Sequence, residues 1–176
     1  MTDERKPPAV LFQRVALGVL AAIGLARLGL SLSGVPDGVV RWLSMNVVGW
    51  SAALAYGAVA RGSVKGYRAL LPFAFRQALV FHAIAVLGIL LTIAGLPNIY
   101  GALEFSGPAA QSQWLHALAH LTIGLLAATL LWWGASCLSL LVGRRLARGV
   151  REKYSPQVAV RVSVSGTRGV IAGPRA

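Results

Sequence analysis

Acidic residues are scarce in this chain, with 5 Asp and Glu against 17 Lys and Arg in 176 residues. None lies inside the long uncharged stretches, so paired-carboxylate chemistry within them is excluded, as is a proton-coupled carrier built on an intramembrane acid. Cysteine is nearly absent too: Cys137 stands alone. One thiol makes neither an intramolecular disulfide, nor a CxxC pair, nor a Cys-based zinc site. Quinone-linked disulfide oxidases, which include small four-helix membrane proteins, are thereby excluded. There is no Gly-rich phosphate loop and no Ser-His-Asp or Cys-His arrangement, so the chain is not expected to be an enzyme.

Charge of either sign is low, at 12% of residues, where a soluble domain carries about 25%. Hydrophobic residues make up 56%, and the mean hydropathy is +0.67. A soluble core of this size could not absorb that much apolar surface, so the excess is expected to face lipid. Four stretches approach or exceed the ~20 residues that cross the hydrocarbon of a bilayer: about 15–32, 42–60, 77–96 and 114–142. The expected fold is an all-α membrane protein, a bundle of four transmembrane helices over residues 1–143. A basic cytoplasmic tail over 144–176 completes it.

The net charge of +12 is unevenly placed, with close to half of the cations from Arg144 onward. Cations also outnumber acids before the first span and between the second and third. Positive segments stay in the cytoplasm, which puts both termini there, in the inner membrane of a bacterium. Arg144, Arg145, Arg148, Arg151 and Lys153 follow directly on the last apolar stretch, a placement that points to anionic lipid at the cytoplasmic face rather than to nucleic acid. Beyond Pro156, valines at 158, 160, 162 and 164 alternate with other residues, the period of a strand. Gly166 to Gly169 could turn it into a short β-hairpin.

Arg27 is the exception inside a span, read either as a cation reaching the outer interface or as a buried cation that pairs with Asp37 or Glu104 or attracts an anionic ligand. Small residues recur every fourth position at Gly18, Ala22 and Ala26, at Gly49, Ala53 and Gly57, at Ala74 and Ala78, and at Gly124 and Ala128. Such rows let helices approach closely in lipid. The chain also resembles itself. Arg14 to Pro36 and Arg76 to Pro97 each open on Arg, pass through a span and close on Gly-x-Pro. That suggests a tandem repeat of two hairpins related by an axis along the membrane normal.

All three histidines lie in the second hairpin. His116 and His120 are four residues apart on one helical face and could chelate a transition metal with Glu104 from the preceding loop. No other cofactor is expected. His82, measured inward from Arg76, falls roughly 12 Å from the depth of His120 at 1.5 Å per residue. It is therefore read as a separate buried side chain bonded to Gln77 or Ser139, and a shared haem is disfavoured. The leading functional expectation is a small membrane subunit that assembles with or stabilises a larger complex, through other membrane subunits or copies of itself. A metal-binding or redox protein using His116 and His120, and an oligomeric pore or solute carrier, are the alternatives.

Overall fold

A computed structural model describes the backbone of residues 8–101 and 109–154, with side chains over 8–101 and 113–150. Helix α1 (Pro8–Leu32) opens on a proline, whose fixed φ suits a first helical turn, and it ends in a tight turn at Gly34, where φ is +80°. A one-turn helix α2 (Asp37–Val40) leads to α3 (Met45–Val59), whose first turn is capped by the Ser44 hydroxyl accepting from the Val47 N–H. After 3-10 turns at Ala60–Gly62 and Tyr67–Leu70 comes α4 (Leu71–Ile93), closed by Gly95 at φ +88°. The chain then forms α5 (Ala109–Ala119), a π-helical turn over His120–Gly124, and α6 (Leu125–Tyr154).

Four of these helical stretches are long and apolar enough to cross a membrane: Pro8–Leu32, Asp37–Gly62, Tyr67–Ile93 and Gln113–Val150. They cover three of the four expected spans, and the third, expected over 77–96, instead ends at Ile93, where Gly95 turns the chain. Among the described residues there is no strand. The hairpin expected near Val158–Val164 and the Glu104 carboxylate lie outside the described residues, as do the side chains of Arg151 and Lys153.

The helices form a bundle in which α1 packs on α3 and α4, and α6 packs on the same two. α1 and α4 are thus neighbours, and α1 and α6 stand across the diagonal. A two-fold axis along the membrane normal would put α1 and α4 at opposite corners, so the expected symmetry between the two hairpins is corrected. What the hairpins share is a helix ending. At each, the glycine N–H returns to a carbonyl three residues back and the next N–H to one five residues back (Gly34 to Ser31, Val35 to Leu30; Gly95 to Thr92, Leu96 to Leu91).

Close packing is concentrated between α3 and α6. A Cβ on Gly57 would lie 2.1 Å from the Ser136 carbonyl oxygen, and one on Gly49 would lie 2.5 Å from the Trp132 ring. Between them the Ser136 hydroxyl donates to the Ala53 carbonyl at 2.8 Å, and the buried Gln77 amide donates to the Gly49 carbonyl. The row Gly49, Ala53, Gly57 is therefore the seam of the bundle. Gly18, Ala22 and Ala26 have the same spacing, yet all three are exposed, and nothing lies within 4 Å of a Cβ placed on Gly18. Large apolar side chains on the exterior, such as Val19, Leu54, Leu87 and Leu126, leave the bundle apolar outside as well as inside. That is the pattern of helices buried on all sides, in a larger protein or in a membrane.

Candidate histidine site

His82 lies eleven residues from either end of α4, at its midpoint. His120 lies eleven residues after Ala109, where the antiparallel α5 begins. The two therefore come to one level, and the separate depths expected from the sequence are corrected. Arg76 is not the end of its helix, which starts at Leu71, and Trp114 is not the start of its own.

The rings meet directly. Nδ1 of His82 is 2.8 Å from Nδ1 of His120, and Nε2 of His120 is 3.2 Å from Nε2 of His116. The ring centroids are 5.0 and 4.9 Å apart in turn. Three imidazoles thus form one series in which His120, the middle ring, uses both nitrogens. Of the two end nitrogens, Nε2 of His82 and Nδ1 of His116 are buried and have no hydrogen-bond partner among the described residues.

The backbone is shaped around this series. His120 opens the π-helical turn, a widened turn that occurs chiefly as single insertions in α-helices and often at functional sites. Gly124 closes the turn, and a Cβ there would lie 2.8 Å from Cε1 of His82, so the ring rests where a side chain would otherwise be. Phe81 stands edge-on to both His82 and Trp132, which fixes the inner side of the site. On the outer side, an open recess of about 260 Å³ is bounded by the three histidines, Ala119, Ile123 and Gly124.

His116 and His120, expected as metal ligands, are brought together, and their Nε2 atoms are spaced for a shared ion. Two bonds of ~2.0–2.1 Å would meet at an angle of roughly 100°. His82 does not join them, because it faces the other nitrogen of His120. Among the described residues, no group of three or more His, Cys, Asp or Glu is arranged to hold one ion. A metal gripped by His82 and His120 from opposite sides would need their nitrogens roughly 4 Å apart, whereas they are in contact. The residue that spacing arguments set aside was His82. The sequence signals that could have recovered it are Pro108 before α5 and Gly95 after α4, both helix boundaries.

A second polar cluster sits at the end of the bundle beyond Leu32 and Ile93. The Asn98 amide donates to the Gly88 carbonyl at 2.7 Å and to the Thr92 hydroxyl at 2.9 Å, while its oxygen accepts from the Tyr100 N–H at 3.0 Å. The Ser31 hydroxyl accepts from the Ile99 N–H at 2.8 Å, tying this loop to α1. Arg27 finds its partner here: its guanidinium carbon is 5.3 Å from the centroid of the Tyr100 ring, in cation–π range. The Tyr100 hydroxyl in turn donates to the Met45 sulfur at 3.2 Å.

Of the expected lipid-facing cations, Arg145 and Arg148 are exposed on α6 and Arg144 is half-buried. Compared with known protein families, with curated proteins and with solved structures, the chain gives no significant match.

Proposed function

We propose that this chain is a small integral membrane subunit of a larger assembly in a bacterial inner membrane, with both termini in the cytoplasm. Its working part is a histidine relay that passes protons within the bundle. The observation that carries the reading is the unbroken series from His82 through His120 to His116, with a nitrogen left over at each end.

The chemistry follows from the two nitrogens of imidazole, one a donor and the other an acceptor in the neutral ring. With Nδ1–H on His82, Nε2–H on His120 and Nδ1–H on His116, a proton arriving at Nε2 of His82 makes that ring an imidazolium. His82 then gives its Nδ1 proton to Nδ1 of His120. His120 gives its Nε2 proton to Nε2 of His116, and His116 releases the proton on Nδ1. One proton enters and one leaves; three N–H bonds form and three break. Each ring has changed tautomer, so the series is then set to run the other way until the rings turn back. Hydrogen bonds strengthen one another in such a low-dielectric setting, and intramembrane histidines are members of proton pathways. The assembly is needed because the relay is short and its ends are buried: neighbouring subunits or water must deliver and collect the proton.

Vesicles reconstituted with the chain together with the subunits that co-purify with it, under an imposed pH gradient, test the reading. Proton flux is expected from the parent protein and is expected to fall at least tenfold in His120→Phe, which breaks both links. Equal flux in parent and variant contradicts a relay.

A second reading is favoured by the Nε2 spacing of His116 and His120, which suits one chelated transition-metal ion. The two readings differ at His82, which a relay needs and a chelate does not. Bound metal that survives His82→Phe but not His116→Ala would support the second.

A further inference from the structure

At the opposite end of the bundle from Asn98, cations converge from two elements. Arg61 belongs to the 3-10 turn that follows α3, and Arg144 and Arg148 lie one turn apart on α6. Together with Gly62 and Ala147 they bound a recess of about 460 Å³, and no acid lines it among the described residues. Two contacts show that the recess is built rather than a loose array of side chains. Arg144 is half-buried and donates through Nη2 to the Val64 carbonyl at 2.6 Å, so the loop after α3 holds it. Arg61 runs alongside α6, with its Cδ 3.7 Å from where a Gly143 Cβ would be. Small residues at 62, 143 and 147 leave the space that the guanidinium groups surround.

We propose that this recess binds one phosphate group, carried by the headgroup of an anionic lipid. Three guanidinium groups with no carboxylate among the described residues that line the recess repel one another, and an anion placed among them relieves that repulsion. The planar donor forks of arginine match phosphate oxygens in pairs. A volume near 460 Å³ exceeds what a bare phosphate fills and leaves room for the polar part of a headgroup. The recess also lies where the apolar exterior of α3 and α6 gives way to charge, the level of lipid headgroups around a spanning helix. Arg145 is on the same helix but does not line the recess, so the site distinguishes among the basic residues of α6. It depends on the chain spanning a membrane and is independent of the histidine relay.

The test uses the purified full chain in uncharged detergent, titrated with short-chain phosphatidylglycerol, with phosphatidylcholine and inorganic phosphate as the other arms. Retained molecules are counted by native mass spectrometry. One saturable phosphatidylglycerol per chain is expected, with affinity falling at least tenfold in Arg61→Gln and in Arg148→Gln and changing less than twofold in Arg145→Gln. Circular dichroism of each variant confirms that the helices remain. Equal losses at Arg61 and Arg145, or no saturable binding, overturn the site. Inorganic phosphate displacing the lipid at equal concentration overturns its assignment to a headgroup and gives the recess to free phosphate.

Discussion

Gly124 and His82 share one space: a Cβ on the glycine would lie 2.8 Å from Cε1 of the imidazole. The severe clash is with the far end of a side chain, and the Ala119 carbonyl oxygen, 3.2 Å away, need give only a few tenths of an ångström, so Gly124→Ala is expected to fold. His82 must then turn aside, which separates it from His120 while leaving His116 and His120 in contact. The check is proton flux together with circular dichroism, with helicity unchanged and flux reduced as far as in His82→Phe.

Gly57 differs in kind, because its Cβ would lie 2.1 Å from the Ser136 carbonyl oxygen, which is backbone. Gly57→Ala must push α3 and α6 apart and stretch the bond from Ser136 to Ala53, at a cost of about 1–3 kcal/mol. Gly18→Ala, with nothing within 4 Å, is the control. It is expected to be neutral or to add up to ~1 kcal/mol through helix propensity. Thermal unfolding in detergent should rank the parent above Gly57→Ala and not above Gly18→Ala.

These two glycines show where the sequence was legible. Four long apolar helices followed from composition alone, because a chain that is to cross lipid needs such helices whatever their neighbours. Which helices touch did not follow. The row at Gly18, Ala22 and Ala26 reads like the row at Gly49, Ala53 and Gly57, yet only the second meets another helix. The pairing of His116 with His120 was visible as a spacing of four. Its extension to His82 was not, because the depth of a residue depends on where its helix begins, and a charged residue such as Arg76 is a poor marker of that. The π-helical turn has no signal in hydropathy.

Tyr100 carries an alkaline signature. Burial pushes its hydroxyl above the ordinary tyrosine value, an effect that the nearby Arg27 charge partly offsets. A raised acid pKa in the folded state means that stability is fully present below the unfolded value of about 10 and is lost as pH rises beyond it. The parent is therefore expected to lose stability more steeply above pH ~10 than Tyr100→Phe, with the two parallel at neutral pH. Unfolding midpoints across that range check it.

Orientation can be read from accessible serines. Ser33 and Ser63 are both exposed, at opposite ends of the bundle. In a Cys137→Ala background, a membrane-impermeant maleimide added outside intact cells should label Ser33→Cys. It should reach Ser63→Cys only after permeabilisation. The reverse pattern would place both termini outside.

Imidazole nitrogens bonded to one another exchange a measurable scalar coupling, so ¹⁵N spectra of histidine-labelled protein in bilayers address the relay itself. Two couplings are expected, one joining the Nδ1 atoms of His82 and His120 and one joining the Nε2 atoms of His120 and His116, both vanishing in His120→Phe. Three uncoupled rings that titrate independently would contradict the account.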